Sequence, residues 1–295
     1  MVADIRDLSP GVRNIQAILL DDSARLVKSL SLAAGSARIE VQCLLQHALS
    51  VTRAYLLAHP ERCLSDSEQA AYDELLQRRL NGEPIAYLLG EREFFGLMLK
   101  VTPATLIPRP DTELLVELAL QRCEKGGKFR VLDMGTGSGA IALAIAHDCP
   151  TAEVLACDAS AAALTVAHEN ALRLGIANAG FVQSDWFSAL HEQRFDLIVS
   201  NPPYITADDP HLQQGDLRFE PASALASGCD GLNDIRRIVS DAPAHLNPGG
   251  WLLLEHGYDQ AEQVRELLRK ADFKVVFSAR DLSGIERVSG GRSAH

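Results

Sequence analysis

From residue 129 onward, short apolar runs alternate with stretches of helical periodicity, and this alternation limits the possible folds more than any other feature of the chain. The apolar runs have the length of buried strands and lie at 131–133, 153–157, 181–183, 195–200, 251–255 and 273–277. Strands separated by helices form a mostly parallel sheet with right-handed crossovers. We therefore predict an α/β domain, and a further run at 285–288 predicts a last, antiparallel strand.

The first 88 residues show helical periodicity. The sequence Ser65-Asp66-Ser67-Glu68 fits a capping box, in which side chains satisfy the first N–H groups of a helix. Since no catalytic constellation lies in this region, we predict a small all-helical domain over 1–88 with a recognition role or a purely structural one. Residues 89–110 contain a predicted β-hairpin turning near Gly96, followed by three prolines, and connect to the α/β domain at 111–295.

Charge and composition exclude several classes of protein. The formal charge is −11, and acidic residues outnumber basic ones in both 1–90 and 91–295, which disfavours binding to phosphate backbones. No stretch approaches the roughly 18 apolar residues of a membrane helix. The six cysteines are scattered, without a C-x-x-C pair. We therefore expect a cytoplasmic monomer without a metal, a disulfide framework, a membrane or a direct nucleic-acid partner.

A glycine-rich loop at 134–139 lies between the first predicted strand of the α/β domain and a helix. Glycine permits a tight turn and lets a ligand approach the backbone closely. Gly135, Gly137 and Ala140 also have the dinucleotide-binding spacing, which is a weak signal alone, and a tight turn without any ligand is the alternative. A Walker phosphate loop is excluded, because no Gly-Lys-Ser/Thr follows.

Polar residues also follow the next two predicted strands. Asp158 ends the second strand, where its carboxylate can accept both ribose hydroxyls of a nucleoside, although it can instead cap the next helix. Asp185 and Trp186 follow the third strand. The indole offers a stacking surface for a base, and the alternative is a core tryptophan with Asp185 capping a turn.

Asn201-Pro202-Pro203-Tyr204 follows the apolar run 195–200. Two prolines end a strand and stiffen the turn after it, at the edge of the sheet where open α/β sheets bind ligands. A planar NH2 group could dock there with its hydrogens accepted by Asn201 Oδ1 and the Pro202 carbonyl and its face on Tyr204. The alternative is an ordinary proline-rich turn.

Together, 133–139, Asp158, Asp185-Trp186 and 201–204 resemble the class I S-adenosyl-L-methionine-dependent methyltransferases, and the N-P-P-Y element resembles members that methylate planar NH2 nitrogens. Three further stretches narrow the resemblance to the release-factor glutamine methyltransferases, the PrmC/HemK family; they are 83–90, 93–96 and 107–113. The resemblance extends from about residue 10 to the end. It implies a Rossmann-like sheet, mostly parallel with an antiparallel last strand, and a helical N-terminal domain joined by the hairpin.

The same resemblance implies a reaction. The substrate would be the glutamine of the Gly-Gly-Gln loop in bacterial class 1 peptide-chain release factors, and the products N5-methylglutamine and S-adenosyl-L-homocysteine, with no metal involved. The residues implied to hold the cofactor are Gly135, Thr136, Gly137, Ser138, Gly139, Asp158, Asp185, Trp186 and Asn201. Those implied to frame the substrate are Asn201, Pro202, Pro203 and Tyr204, of which Asn201, Pro202 and Tyr204 are the candidate catalytic residues. Arg109, Thr112 and Glu113 are expected to brace the hairpin against the active site.

Three other functions compete with this interpretation. A nucleic-acid adenine methyltransferase would use the N-P-P-Y element on a similar amine, but it needs basic surface to engage phosphates. An NAD-binding oxidoreductase would use the glycine loop and leave N-P-P-Y unexplained. A non-catalytic protein that kept the fold is the third alternative.

Overall fold

The computed structural model describes residues 13–123 and 129–294, and this described chain divides into two compact units between Gly90 and Glu91. Two expectations from the sequence, that the helix beginning near Asp111 ends at Gly126-Gly127 and that the resemblance includes residues 10–12, lie outside the described residues. The division lies close to the predicted boundary at residue 88, while the separate roles assigned to 1–88, 89–110 and 111–295 remain predictions.

The first unit is helical in its described part. Its helices are α1 Ile15–Leu30, α2 Ala34–Leu49, α3 Arg53–Ala58, α4 Asp66–Leu80 and α5 Ile85–Leu89. The predicted capping box is present at the start of α4, where the Ser65 side chain accepts from the Glu68 N–H and the Glu68 carboxylate accepts from the Ser65 N–H. Apolar faces of these helices form one core, and Tyr72 donates from its buried hydroxyl to the fully buried Asp22.

The second unit begins with a hairpin. Strands β1 Glu91–Phe94 and β2 Leu97–Lys100 pair antiparallel and turn at Phe95 and Gly96, both of which have a positive φ. The buried hairpin residues Phe94, Leu97 and Leu99 join the main core of this unit. A short 3₁₀ turn, Pro110–Thr112, then leads into helix α6, Glu113–Leu120.

The remaining elements alternate as predicted. They are β3 Arg130–Met134, α7 Ala140–Asp148, β4 Glu153–Asp158, α8 Ala161–Leu174, β5 Ala179–Gln183, β6 Phe195–Ser200, α9 Asn233–His245, β7 Leu246–Glu255, α10 Ala261–Lys270, β8 Lys274–Arg280 and β9 Glu286–Arg292. Among the described residues, seven strands form one sheet in the order β5-β4-β3-β6-β7-β9-β8. Strands β3 to β7 pair parallel, and β9 runs antiparallel to β7 and β8. The predicted sheet with an antiparallel last strand is confirmed.

Two apolar clusters cover the two faces of the sheet. One contains the apolar helix α7 and residues of α6, and the other contains α9 and residues of α10. This layering buries the strands on both sides, as parallel sheets require. It leaves the carboxyl ends of β3, β4, β5 and β6 as the edge at which loops present polar side chains.

Candidate active site

The strand order reverses between β3 and β6, and the glycine loop and the Asn201 turn both begin there. Met134 pairs with Ser200 at the ends of these two strands, and the Ser200 hydroxyl donates to the Met134 carbonyl at 2.7 Å. Gly135 and Asn201 therefore start side by side. A crevice at such a reversal is where open α/β sheets bind their ligands.

The glycine loop is held by the strand beside it. The Gly135 and Thr136 N–H groups both donate to the Cys157 carbonyl, at 2.9 and 3.0 Å. Gly137 has a φ of +56°, and no heavy atom would lie within 4 Å of a Cβ at that position, so its backbone faces open space. The loop thus offers room for a ligand to approach the backbone.

Asp133 is the penultimate residue of β3, just before this loop, and is fully buried. Its Oδ2 accepts from the Thr136 hydroxyl at 2.6 Å and from the Ala142 N–H at 3.2 Å, while its Oδ1 accepts from no described residue. Burial raises the pKa of this carboxyl to about 7. Asp133 lies in the stretch 133–139 that carries the resemblance, but it was not among the predicted site residues. Its position, a carboxylate at the end of a predicted strand and just before a glycine loop, could have identified it from the sequence.

Asp158 is half-buried at the end of β4. Its Oδ2 accepts from the Gly137 N–H at 2.9 Å and its Oδ1 accepts from the Ser160 N–H at 2.8 Å. The alternative that Asp158 caps the next helix is wrong, because the Ser160 side chain is the cap of α8 and accepts from Ala163 N. Each Asp158 oxygen keeps a lone pair for a further donor such as a ribose hydroxyl.

Trp186 follows β5 with a φ of +50° and is half-buried. Its carbonyl accepts from the Ser184 hydroxyl at 2.6 Å, and its indole Nε1 donates to Asp234 at 3.1 Å. Asp234 also accepts from Ser227, so the indole is fixed to the start of α9. Asp234 belongs to no sequence motif and was not predicted as a site residue.

Asp185 lies beside this tryptophan but is exposed. Its two carboxylate oxygens each accept from Arg237 at 2.9 Å. The side chain is thus engaged at the rim in a bidentate pair. Asp185 was predicted to hold the cofactor, and that role stays a prediction.

Asn201 is half-buried, and its amide is fixed on one side. Its Nδ2 donates to the Thr112 hydroxyl at 3.2 Å, which leaves Oδ1 as the acceptor available to a ligand. Pro202 is buried and Pro203 is half-buried. The turn therefore presents an oxygen acceptor in a stiff frame, as the sequence predicted for a planar NH2 group.

Tyr204 turns inward from this bend. Its hydroxyl donates to the fully buried Glu255 at 3.2 Å, and its carbonyl accepts from the Gln260 amide at 3.0 Å. Burial raises the pKa of the Tyr204 phenol, so the hydroxyl stays protonated. Burial likewise raises the pKa of Glu255 to about 7, against the hydrogen bond from Tyr204 and the charge of Arg287, and its Oε2 accepts from no described residue. Neither Glu255 nor Gln260 was predicted from the sequence.

Arg109, Thr112 and Glu113 were expected to brace the hairpin, and of the three only Glu113 is seen here to contact it. Glu113 accepts from the Phe95 N–H at 3.1 Å and so braces the hairpin. Arg109 instead pairs with the buried Glu220, which also accepts from the Ile107 N–H at 3.0 Å. Thr112 bonds to Asn201. Both therefore support the walls of the site rather than the hairpin, because their partners lie on the segment that follows β6.

A cavity of about 490 Å³ lies at this edge of the sheet, within the range typical of small-molecule sites. Predicted site residues that line it are Gly135, Gly137, Asp158, Asp185, Trp186, Asn201 and Pro203. Predicted residues that do not line it in the described chain are Thr136, Ser138, Gly139, Pro202 and Tyr204. Further walls come from 103–106 and from the segment around Pro221 to Ala224.

Comparison with known proteins identifies the family. Residues 24–90 match the model described as PrmC N-terminal domain, and 110–224 match the methyltransferase small domain. A release factor glutamine methyltransferase of Bordetella pertussis is 55% identical over 267 residues, which cover 90% of this chain and 98% of that protein. One of Escherichia coli is 50% identical over 260 residues, covering 88% and 94%. This chain belongs to the release factor glutamine methyltransferase family.

A solved structure shows the same fold at lower identity. The 16S rRNA methyltransferase from T. thermophilus, solved with AdoMet and guanosine, is 22% identical, with a TM-score of 0.51, covering 69% of this chain and 49% of that one. At that identity the likeness concerns the fold alone.

Methyltransferases of this family use S-adenosyl-L-methionine, and the residues of the site fit that group. The open backbone at Gly137, the free lone pairs of Asp158 and the indole of Trp186 lie on one cavity wall. Asp133 Oδ1 is a buried acceptor that no described residue satisfies, and buried polar groups normally have a partner. The cavity thus offers the carboxylate, the aromatic ring and the open backbone that a nucleoside would contact, while Asp133 is not among the residues that line it. Within the described residues, no three His, Cys, Asp or Glu side chains form a metal-binding group, and no helix is long and apolar enough to cross a membrane.

Proposed function

We propose that this release factor glutamine methyltransferase moves a methyl group from S-adenosyl-L-methionine to the side-chain nitrogen of the glutamine in the Gly-Gly-Gln loop of class 1 peptide-chain release factors. The products are N5-methylglutamine and S-adenosyl-L-homocysteine. The single observation that carries this proposal is the position of Asn201, whose amide lies on the wall of the cavity beside Gly135 with its Oδ1 unused by Thr112.

The cofactor is assigned to the wall formed by β3, β4 and β5. Asp158 would accept the ribose hydroxyls, Trp186 would contact the base, and the backbone from Gly135 to Gly139 would lie along the remainder. Thr136 acts through Asp133, to which its hydroxyl donates at 2.6 Å. Gly139 acts by starting α7, since a Cβ there would meet Leu143 at 3.0 Å and Ala167 at 3.2 Å.

The substrate amide is assigned to the Asn201 turn. An amide nitrogen is a poor nucleophile because its lone pair is delocalised into the carbonyl, so the protein must place it about 3–3.5 Å from the methyl carbon and in line with the breaking bond. Asn201 Oδ1 and the Pro202 carbonyl accept its two hydrogens and fix its plane. Pro203 adds stiffness, and Tyr204 holds the turn through its hydroxyl bond to Glu255.

When bound, S-adenosyl-L-methionine supplies a methyl group on a positively charged sulfur. The nitrogen held at the Asn201 turn would take this methyl and release one proton to water, and the cofactor would leave as neutral S-adenosyl-L-homocysteine. Positive charge grows on the nitrogen during transfer, and the two oxygen acceptors stabilise it from fixed positions, which is electrostatic preorganisation. No strong base is required before methyl transfer, since the nitrogen becomes acidic only as the bond forms.

Partner and location follow from the same proposal. The helical unit would help to recognise the release factor, and the protein would act in the cytoplasm as a monomer on a protein substrate. The charge of −11 supports a protein rather than a nucleic-acid substrate, because phosphate backbones are bound by basic surface.

Mass spectrometry of a purified class 1 release factor tests the proposal. The release factor is incubated with this protein and isotopically labelled S-adenosyl-L-methionine, and the expected result is one labelled methyl on the loop glutamine. Duplex DNA and ribosomal RNA serve as parallel substrates. Label in either nucleic acid, with none in the release factor, would replace the proposal with adenine methylation.

A further inference from the structure

The indole of Trp186 lies on the cavity wall between the glycine loop and the start of α9. A Cβ placed on Gly135 would lie 3.6 Å from Cζ3 and 3.7 Å from Cη2 of this ring, so its six-membered part faces the loop. The five-membered part carries Nε1, which donates to Asp234 Oδ1 at 3.1 Å. Contact with the loop and the hydrogen bond to α9 together define where the ring lies.

The carboxylate of Asp234 is itself held in place by Ser227. The Ser227 hydroxyl donates its one hydrogen to Asp234 Oδ2 at 2.6 Å and accepts from the Asp234 N–H at 2.9 Å. Ser227 is 2% exposed, so water has little access to these bonds. The reciprocal pair directs Oδ2 to Ser227 and leaves Oδ1 for the indole N–H, which can only donate.

The Trp186 backbone depends on such support. Its φ of +50° lies in the left-handed region, which is unfavourable for a residue with a Cβ and persists only where the surroundings hold it. The Ser184 hydroxyl holds the carbonyl at 2.6 Å, and Asp234 holds the side chain. Asp185 also contacts α9 through Arg237, one turn after Asp234, but this ion pair is exposed and therefore weak. The bond to Asp234 is thus the main polar link between this loop and α9.

We infer that Asp234 is a positioning residue for the cofactor, which holds Nε1 and so sets the plane of the indole against which the base of S-adenosyl-L-methionine lies. This inference deepens the proposed function and rests on it, because the base is assigned to Trp186 there. An indole that is ordered before the ligand arrives loses less conformational freedom on binding, and the ligand then binds more tightly. Asp234 also lines the cavity, so its action through Trp186 must be separated from direct contact with the ligand.

Asp234→Ala tests the inference by removing the acceptor. The Kd for S-adenosyl-L-methionine, measured by calorimetry, should rise about tenfold, the size of one hydrogen bond to a charged group. Asp234→Asn should recover most of the affinity, because an amide oxygen still accepts from the indole. Asp241→Ala is the matched control, since it removes an exposed aspartate from the same helix and should leave the Kd unchanged. If alanine destabilises the fold, Asp234→Leu removes the carboxylate and fills its space.

The decisive comparison repeats Asp234→Ala in a Trp186→Phe background. Phenylalanine keeps an aromatic ring but has no N–H to donate, so the alanine substitution should cause no further loss of affinity there. An equal loss in both backgrounds would overturn the inference, because Asp234 would then act without Trp186. An asparagine variant that binds as weakly as the alanine variant would overturn it too, since the charge rather than the acceptor would then matter.

Fluorescence gives a readout that needs no ligand. The chain has two tryptophans, so Trp251→Phe leaves Trp186 as its one tryptophan. In this background and without cofactor, Asp234→Ala should lower the anisotropy of the Trp186 emission, as the released ring gains motion, whereas Asp234→Asn should preserve it. Unchanged anisotropy in the alanine variant would mean that packing alone holds the ring, and it would overturn the inference.

Failure of the proposed function would give a different result. A wild-type protein that binds no S-adenosyl-L-methionine, or that leaves the release factor unmethylated, would overturn the proposed function. A wild-type protein that binds the cofactor and methylates the release factor, with the same Kd in the Asp234→Ala variant, would overturn the inference alone.

Discussion

The Asn201 side chain is held by one of its two polar atoms and offers the other to a substrate. Its NH2 group is used by Thr112 at 3.2 Å, and its oxygen stays available on the wall of the cavity. The turn that carries it starts beside the glycine loop because Met134 and Ser200 pair at the strand ends. The reaction assigned to the site depends on this one acceptor more than on any other group.

Asn201→Ala should lower kcat about 10²-fold, the cost typical of removing one preorganised donor or acceptor from a transition state. Methyl transfer to release factor measures the effect. Asn247→Ala is the matched control, because it removes an asparagine amide that bonds to Asp196 away from the cavity. Near-normal turnover of Asn201→Ala would assign the acceptor role to another group.

Asp158→Ala should raise the Kd for S-adenosyl-L-methionine about tenfold or more, since it removes the carboxylate that steadies the Gly137 N–H and is assigned to the ribose. Isothermal calorimetry measures the change. Glu153→Ala removes a carboxylate from the opposite end of the same strand, β4, and should leave the Kd unchanged. Equal affinity of the Asp158 variant and wild type would restrict Asp158 to shaping the loop.

At the scale of elements, the segment between β6 and α9 forms a wall of the site and is fastened at several points. Glu220 fastens it to Arg109 and to the Ile107 N–H, and Ser227 fastens it to Asp234. At Gly231 the segment packs closely against the Asn201 turn, since a Cβ there would lie 2.2 Å from the Tyr204 carbonyl oxygen. These contacts make the segment an ordered wall.

Gly231→Ala should displace the Tyr204 backbone and lower both the melting temperature and kcat. Gly215→Ala is the matched control in the same segment, because Gly215 has a φ of +55° but open space around its Cβ position. Both variants carry the same left-handed backbone strain, which costs about 1 kcal/mol. Calorimetry and turnover compare them, and equal effects would mean that strain alone, rather than contact with Tyr204, explains the loss.

The sequence predicted the helices and strands better than it predicted the residues that hold the site side chains in place. Alternating apolar runs indicated the strands and helices, and Ser65 to Glu68 indicated the start of α4. Strand β7 begins at Leu246, before the expected Trp251, because Leu246 pairs with Phe195 across an irregularity in register. Asp234, Glu255 and Gln260 were missed, since each contacts a residue distant in sequence and none belongs to a local pattern.

At the scale of the molecule, two buried carboxyls affect stability as well as chemistry. The pKa values of Asp133 and Glu255 are both raised to about 7, from 3.8 and 4.5. A carboxyl with a raised pKa stabilises the folded state fully below its unfolded pKa, and this contribution is lost as the pH rises through the folded pKa. The stability contributed by Glu255 should therefore fall between about pH 4.5 and pH 7.

The Glu255→Gln variant should lack the part of this pH-dependent stability that Glu255 contributes. As the pH rises from about 5 to about 8, the unfolding free energy of the wild type should fall relative to that of the variant, by about 3 kcal/mol at most. Asp133 is present in both proteins, so its contribution cancels. Denaturant unfolding at the two pH values measures the shift, and parallel stability curves would show that Glu255 keeps an ordinary pKa.

A crystal structure of the protein with S-adenosyl-L-methionine and a peptide carrying the Gly-Gly-Gln sequence would show whether the Asn201 turn holds the reacting amide. We expect the sulfonium methyl between the glycine loop and the Asn201 turn, with Asn201 Oδ1 and the Pro202 carbonyl on the glutamine NH2. A glutamine amide bound elsewhere, or Asn201 presenting its nitrogen to the substrate, would contradict it.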